Sequence, residues 1–291
     1  MPELPEVEVT RRCIEPLLVG RTIARVRASG PSTLFVTPPR RLARALAGRT
    51  VAGLARRGKY LVARLDDGRR WVMHLGMTGQ LFADGVASLR LLSAAARAAL
   101  APQAQVAFRP DRHTHLHVQF ADGGPAVFLR DVRKFGKLLL LEPGEACPRL
   151  DALGVDALEA TGDHLFAASR GRALAVKALL LDQHAITGIG NIYADEGLFL
   201  AGVRPAARSG RLSRARCAAI VAGVQRCMQR AIETGGSSIS DFVAPDGSDG
   251  RYQDERRVYA RAGEPCGVCG TTIRRRSVGQ RTSHFCPRCQ R

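Results

Sequence analysis

The hydrophobic positions of this 291-residue chain change their period along its length, and each period predicts one kind of element. In residues 3–19 apolar side chains recur every three or four positions before Gly20, which predicts an amphipathic helix that ends at the glycine. From about residue 21 the period becomes two, which is typical of half-buried β-strands. The predicted strands cover residues 22–27, 59–65, 70–74, 115–120, 126–130 and 137–141. Residues 1–145 are therefore expected to form an antiparallel β-sandwich with flanking helices.

Beyond residue 145 the pattern becomes helical. Short helices are predicted at residues 173–183 and 191–200, and Ser213 is placed to cap a longer helix that ends before Gly235. Asn191 then begins a helix whose free N–H groups and dipole favour a phosphate. The polar, glycine-rich residues 235–250 predict a mobile link. The alanine-rich residues 87–105 fit either a helix or a loop.

Four of the eight cysteines form two Cys-x-x-Cys pairs near the C-terminus, at Cys266, Cys269, Cys286 and Cys289. This spacing is typical of a zinc ribbon, in which four thiolates hold one structural Zn²⁺ and leave no open coordination position. Disulfides are the weaker alternative in an intracellular protein. The segment between the pairs carries several arginines and is long enough for a β-hairpin, which suits contact with a phosphate backbone.

The charge balance points to a polyanionic partner. Lys and Arg total 44 against 26 Asp and Glu, a formal net charge of +18, although a basic protein tuned only for solubility remains an alternative. No apolar run is long enough for a membrane span, and the N-terminus lacks the pattern of a signal peptide, so a cytoplasmic location is expected. The four lysines, Lys59, Lys134, Lys137 and Lys177, are candidates for chemistry that needs a proton to be lost.

Six segments, in order, resemble the bacterial formamidopyrimidine-DNA glycosylase family, which repairs 8-oxoguanine. They read MPELPEVE at the start, then RGKYL from residue 57, HLGMTG from 74, DVRKFG from 131, GIGNIY from 188, and the cysteine ribbon. The resemblance implies an α+β fold with an N-terminal β-sandwich, a helix–two-turns–helix domain and a zinc-finger β-hairpin. The corresponding domains are residues 1–145, 146–256 and 257–291. It also implies a monomer that binds double-stranded DNA.

The resemblance assigns catalytic roles to four residues. Once Met1 is removed, Pro2 offers a secondary amine that attacks the sugar C1′, displaces the damaged base and forms an iminium, which favours strand cleavage by elimination. Glu3 is implied to be a proton donor and acceptor, and Lys59 to assist β-elimination. Arg281 is implied to contact phosphate and assist δ-elimination. Position alone would favour a plain first-turn proline at residue 2 and a helix-dipole acid at residue 3.

The resemblance also implies contacts with DNA. Met77, Arg133 and Phe135 match the side chains that fill the gap left by a flipped base, although core packing is an alternative for the apolar pair. Further positions are implied to hold the DNA backbone around the lesion, and these are His113, Arg172 and Asn191, with support from Lys177 and Glu196. Residues 235–250 match the segment that closes over the base. A metal site on alternate histidines, His113, His115 and His117, is a weaker alternative because no acidic or cysteine partner stands nearby.

Two other functions remain open. The sister family, endonuclease VIII, prefers oxidised pyrimidines and shares Pro2, Glu3, the lysine and the ribbon. Leu4 and Phe135 favour the purine enzyme. A DNA-binding protein without catalytic activity is the second alternative, but binding alone has no need of Pro2, Glu3 and Lys59.

Overall fold

The computed structural model describes residues 2–88, 110–239 and 242–291. The chain divides into two compact units. The N-terminal unit comprises Met1–Cys147 and Thr234–Arg251, and the C-terminal unit comprises Pro148–Glu233 and Tyr252–Arg291. Within the described ranges, no helix is both long and apolar enough to cross a membrane. Residues 87–105, which fitted either a helix or a loop, fall almost entirely outside these ranges.

Within its described residues, the N-terminal unit has two four-stranded antiparallel sheets and two helices. Its elements are α1 (Leu4–Leu18), β1 (Ile23–Ala28), α2 (Pro39–Leu46), β2 (Val51–Arg57), β3 (Tyr60–Leu65), β4 (Arg70–His74), β5 (Gly79–Ala83), β6 (Thr114–Phe120), β7 (Val127–Asp131) and β8 (Lys137–Leu141). One sheet has the order β1-β6-β7-β5 and the other β2-β3-β4-β8. The predicted helix and strands are therefore present, and α2, β2 and β5 are additional.

The core of this unit takes side chains from both sheets and both helices. Ile14 of α1, Leu42 of α2, Leu61 of β3, Trp71 of β4 and Leu116 of β6 are all buried in one cluster. Burial of each such side chain contributes roughly 1.5–3 kcal/mol. The apolar stripe of α1 thus fixes the helix that carries Pro2 and Glu3 onto the core.

The C-terminal unit is mainly helical and ends in a hairpin. Its elements are α3 (Pro148–Asp151), β9 (Val155–Asp156), α4 (Gly162–Ser169), α5 (Val176–Leu181), β10 (Ile186–Thr187), α6 (Asn191–Leu200), α7 (Arg214–Glu233), β11 (Arg274–Val278) and β12 (Arg281–Phe285). The hairpin strands β11 and β12 pair antiparallel. The predicted cap is present, since the Arg216 N–H donates to Ser213 Oγ at 3.2 Å.

Helices α6 and α7 approach closely at two glycines. A Cβ at Gly197 would lie 2.3 Å from Val224 Cγ2, and one at Gly223 would lie 2.7 Å from the Gly197 carbonyl oxygen. Both positions therefore require glycine at this crossing, which fixes the helix that begins with Asn191.

Candidate active site and metal centre

The first turn of α1 fixes the two residues with the strongest catalytic prediction. Pro2 is buried, and Glu3, only 1% exposed, is the N-cap of the helix. The Glu3 carboxylate accepts the Glu6 N–H, while Glu6 Oε2 accepts the Glu3 N–H at 2.9 Å, forming a reciprocal capping box. This arrangement holds both the backbone and the carboxylate of Glu3 next to Pro2.

The second oxygen of Glu6 connects α1 to the glycine-rich segment. Glu6 Oε1 accepts the N–H of Ser237 at 2.9 Å. Gly236 has φ +90°, and a Cβ there would lie 2.8 Å from the Phe242 ring. A Cβ at Gly250 would lie 2.2 Å from the Gly236 carbonyl oxygen. The ends of the segment predicted to be a mobile link therefore lie in close contact, and neither Gly236 nor Gly250 has room for a side chain.

Lys59 lies in the turn between β2 and β3 rather than inside the predicted strand. Arg57 and Tyr60 pair across the hairpin, which leaves Gly58 and Lys59 as its two turn residues, and Gly58 has φ +56°. Lys59 is half-buried. The residue is thus presented by a tight hairpin turn, whose first position favours glycine.

Two loops of the N-terminal unit bring the predicted wedge residues together. Asp131 is fully buried, and its Oδ1 accepts the Thr78 hydroxyl at 2.5 Å while its Oδ2 accepts the Gly136 N–H at 2.9 Å. Thr78 Oγ1 in turn accepts the Arg133 N–H at 3.0 Å. The loop carrying Met77 is therefore bonded to the loop carrying Arg133 and Phe135.

The close approach of these loops depends on Gly76. This residue has φ +63°, and a Cβ there would lie 2.5 Å from the Gly136 nitrogen. The Phe135 side chain remains 48% exposed, with the Arg133 guanidinium 4.7 Å from its ring centroid. Since a large aromatic side chain is held outward on a rigid base, the geometry suits insertion into a partner rather than the alternative of core packing.

The three alternate histidines have separate environments. The backbone N–H of His113 donates to Asp111 Oδ1 at 2.9 Å. Burial lowers the pKa of the His113 imidazole, which favours the neutral ring. His115 is buried, with Nδ1 3.0 Å from the Ser29 carbonyl oxygen, and His117 stacks on Phe128 at 4.4 Å. Within the part of the chain that the structure describes, the only group of His, Cys, Asp or Glu side chains placed to hold a metal is the four cysteines.

In the C-terminal unit, a buried ion pair lies beneath the strand that begins at Arg281. Lys177 and Asp195 are both 0% exposed, and Lys177 Nζ lies 2.7 Å from Asp195 Oδ1. Lys177 also donates to the Thr282 carbonyl oxygen at 2.8 Å, and Asp195 Oδ2 accepts the His284 N–H at 2.8 Å. Lys177 therefore acts from inside the unit, by fixing β12.

Two more polar side chains of α6 form hydrogen bonds with backbone groups of neighbouring segments. Asn191 Nδ2 donates to the Thr282 carbonyl oxygen at 3.1 Å, and the buried Glu196 carboxylate accepts three consecutive backbone N–H groups at 2.8–2.9 Å. The donors to Glu196 are Arg257, Val258 and Tyr259. Arg172 is half-exposed and pairs with Asp182 at 3.1 Å. Asn191 is thus bound to the hairpin strand, while Arg172 faces solvent.

The four cysteine thiols converge on one point. Their sulfurs lie within 4.8 Å of one another, with Cys266 Sγ 3.9 Å from Cys289 Sγ and Cys269 Sγ 3.5 Å from Cys286 Sγ. A tetrahedral Zn²⁺ with Zn–S bonds of ~2.3 Å needs S–S separations of about 3.8 Å, so the donor set fits this ion. Gln290 supports the site by accepting the Cys286 N–H at 2.8 Å.

Several supporting residues were not found by sequence reasoning. Asp131 stands inside the recognised DVRKFG segment, and Gly76 inside HLGMTG, so both segments held a signal that went unused. Asp195 and Gln290 have no such signal, because each acquires its role only when α6 and the hairpin are packed together.

Comparison with protein families assigns three parts of the chain. Residues 1–138 match the formamidopyrimidine-DNA glycosylase N-terminal domain, residues 153–243 its H2TH domain, and residues 263–291 a zinc finger found in FPG and IleRS. The zinc-finger match and the converging thiols together confirm the predicted zinc site.

Full-length relatives carry the same name. Proteins called formamidopyrimidine-DNA glycosylase from Magnetococcus marinus, Ralstonia nicotianae and Aromatoleum aromaticum are 39%, 40% and 42% identical, with 100% of each chain covered. Lactococcus lactis Fpg in complex with abasic-site DNA has a TM-score of 0.84 at 32% identity, with both chains covered completely. MutM (FPG) from Thermus thermophilus has a TM-score of 0.82 at 33% identity, covering 99% of this chain and 98% of that one. The predicted α+β fold, with its helix–two-turns–helix and zinc-hairpin parts, is confirmed.

Proposed function

Because the chain belongs to the formamidopyrimidine-DNA glycosylase family, we propose that it removes oxidised purines from duplex DNA and then cleaves the strand at the same site. The lesions are 8-oxoguanine and formamidopyrimidines. The observation that carries the proposal is the start of α1, where Pro2 precedes a buried Glu3 held by a capping box. A Lactococcus lactis relative has been crystallised with DNA containing a Fapy-dG derivative, which supports the substrate class.

The first step is base release. With Met1 removed, the Pro2 nitrogen attacks C1′ of the damaged nucleotide, the glycosidic bond breaks, and its electron pair leaves with the base. The positive end of the α1 dipole disfavours charge on the nearby amine, which favours its neutral, nucleophilic form. Glu3 transfers a proton at the sugar, and the capping box keeps its carboxylate beside the amine.

Strand cleavage follows from the chemistry of the first product. After the base has left, the Pro2 nitrogen on C1′ gives up its proton, and its lone pair forms a charged C1′=N iminium as the C1′–O4′ bond breaks, with Glu3 protonating the departing ring oxygen. The iminium withdraws electrons and acidifies the C2′ hydrogen, so loss of that proton expels the 3′ phosphate. Lys59 assists this elimination from its hairpin turn. Arg281 contributes a fixed positive charge toward phosphate, since a guanidinium rarely releases a proton.

The wedge residues explain how a base inside the duplex is reached. Phe135 and Met77 fill the space left by the flipped nucleotide, and Arg133 faces the unpaired opposite base. The Asp131–Thr78 contacts support this assignment, because they hold both loops in one arrangement before DNA binds. His113, Arg172 and Asn191 bind the backbone around the lesion.

The four cysteines hold one structural Zn²⁺ that closes the hairpin base, and no reaction step passes through it. We further propose a three-domain division at residues 1–145, 146–256 and 257–291, which the three family matches support. The related proteins come from bacteria, and we place the enzyme at the nucleoid in the cytoplasm.

The test is covalent trapping. The protein is incubated with a duplex carrying 8-oxoguanine opposite cytosine, and borohydride is added to reduce any iminium to a stable crosslink. The proposal predicts a crosslink that is absent with undamaged duplex and with Pro2→Gly protein. Preferential trapping on thymine glycol would assign the chain to the pyrimidine-specific sister activity, and no crosslink on either lesion would exclude a glycosylase of this mechanism.

A further inference from the structure

The Glu8 carboxylate on α1 contacts three arginines, and none of them has a role in the proposed reaction. Glu8 Oε1 lies 3.0 Å from Arg11 Nη2 and 2.8 Å from Arg12 Nε, both on the same helix. Glu8 Oε2 lies 3.0 Å from Arg56 Nε, which belongs to β2. Glu8 and Arg56 are both largely buried, whereas Arg12 is 60% exposed.

The Arg56 contact differs from the other two because it reaches the turn that carries Lys59. Arg56 Nη1 donates to the Gly58 carbonyl oxygen at 3.1 Å, and that carbonyl belongs to the peptide bond that precedes Lys59. One planar guanidinium therefore bonds the α1 carboxylate through Nε and the turn backbone through Nη1. Such a two-sided contact fixes direction as well as distance.

The N-terminal end of α1 is also fixed. The capping box of Glu3 and Glu6 anchors the first turn, and Glu8 lies within the next turn of the same helix. Because the helix is rigid over this length, a displacement of the hairpin turn against Glu8 is also a displacement of Lys59 against Pro2 and Glu3.

The charge state of Glu8 determines whether its contact with Arg56 is ionic at neutral pH. Burial raises the pKa of its carboxyl, but hydrogen bonds from Arg11, Arg12 and Arg56 outweigh this effect and lower the pKa to about 2. The carboxylate is therefore charged at neutral pH and stays available to Arg56.

We propose that Glu8 and Arg56 are positioning residues, which hold the β2–β3 turn against α1 so that Lys59 keeps a fixed place relative to the start of that helix. The inference rests on the proposed function for its catalytic consequence, but its structural part can be tested without DNA.

The kinetic test uses Arg56→Lys and Arg56→Gln, with Arg12→Gln as the matched control. Lysine retains the charge opposite Glu8, so the melting temperature of Arg56→Lys stays close to that of the original protein. A single ammonium lacks the planar fork that reaches both Glu8 and Gly58. Single-turnover strand cleavage at a preformed abasic site, the elimination that Lys59 assists, should therefore slow on the order of 10- to 100-fold in both Arg56 variants, as expected for a small misplacement of a catalytic group. Arg12→Gln, which loses a bond to the same carboxylate, should stay within about twofold.

A second measurement monitors Lys59 directly. With only four lysines in the chain, ¹³C-dimethylation gives few lysine signals, and Lys59→Arg identifies the signal of Lys59. In Arg56→Gln this signal should move toward the position of a solvated lysine and sharpen, while in Arg12→Gln it should not change.

The outcomes separate this inference from the proposed function. If the unsubstituted protein releases no 8-oxoguanine, the proposed function fails, and the Lys59 signal still decides the positioning role. A Lys59 signal that is unchanged in Arg56→Gln, or an Arg56→Lys protein that cleaves the abasic strand at the original rate, would overturn the inference. Should Arg56→Gln fail to fold, Arg56→Lys decides by its rate of strand cleavage at the abasic site and by its Lys59 signal.

Discussion

Two hairpins in this protein each present a cation with a predicted role, and they are held in different ways. The turn with Lys59 belongs to a four-stranded sheet above a large apolar core. The carboxylate that holds this turn through Arg56 is Glu8, which is largely buried among three arginines. The strand that begins at Arg281 belongs to a two-stranded sheet. Its carboxylate partner, Asp195, is fully buried against Lys177.

The difference follows from how much apolar surface each hairpin can bury. In the first hairpin the core supplies the stability, so a polar contact needs only to set direction. The second hairpin packs on a small cluster that includes Phe199, Val258 and Ile273 together with cysteines. A metal ion and buried polar contacts must therefore supply much of the stability of this second hairpin, because small segments rarely fold on apolar burial alone.

The largest effect is expected from breaking the metal site. Cys266→Ser removes one thiolate, so the hairpin loses its Zn²⁺ and its structure while the N-terminal unit stays folded. Since the arginines of β11 and β12 then lose their arrangement, affinity for duplex DNA should fall by more than about tenfold in fluorescence anisotropy. Cys13→Ser is the control, because Cys13 lies on α1 and is not one of the four ligands, so its loss should change neither zinc content nor affinity. Unchanged affinity in Cys266→Ser would refute the role of the ribbon.

The next largest effect is expected from breaking the buried ion pair of Lys177 and Asp195. Asp195→Asn leaves the Lys177 ammonium without its carboxylate inside the C-terminal unit, and the free energy of unfolding should fall by about 3–5 kcal/mol. Chemical denaturation measures this change, and hydrogen exchange of the β12 amides reports where it occurs. Adding Lys177→Met to Asp195→Asn removes the orphaned charge and should recover most of the loss. If the double variant is no more stable than Asp195→Asn, the pair is not what holds the strand.

A smaller loss is expected at the wedge loops. Gly76→Ala places a Cβ against the Gly136 nitrogen at a positive φ, so the loops must separate at a cost of about 3 kcal/mol. Gly85→Ala is the matched control, since Gly85 also has a positive φ but nothing within 4 Å of a Cβ. The control should lose only about 1–2 kcal/mol from the backbone conformation. Equal melting temperatures for the two variants would show that the approach at Gly76 is not tight.

The smallest effect concerns acid. The pKa of Glu8 is about 2 in the folded protein against a usual 4.5, so its contribution to stability is complete above pH 4.5 and is lost as the pH falls from 4.5 toward 2. Allowing for water around the arginines, that contribution is about 2 kcal/mol. Glu8→Gln should lower the free energy of unfolding at pH 7 and lower it by clearly less near pH 3, where much of the contribution is already lost. An equal loss at both pH values would mean that the charge of Glu8 is not what stabilises the contact.

The sequence predicted those features whose physical cause is local. Helix α1 follows from apolar spacing and a following glycine, and the cysteine ligands follow from the geometry that Zn²⁺ demands. Strand β2 was missed because Gly53 and small residues weaken its alternation, and β5 because most of its side chains are buried on both faces. Glu8 stands inside the MPELPEVE segment, but its arginine partners, like the Lys177 partner of Asp195, could not be predicted, since a charged residue in a helix is ordinarily solvated until tertiary structure supplies a partner.

The central claim is that the N-terminal amine of Pro2, not the Lys59 amine, forms the covalent link to DNA. It is tested most directly by mapping the borohydride-reduced crosslink formed on an 8-oxoguanine duplex, using proteolysis and tandem mass spectrometry. We expect the nucleotide remnant on the N-terminal peptide, at residue 2 with Met1 absent. A remnant on the peptide that contains Lys59, with Pro2 unmodified, would contradict it.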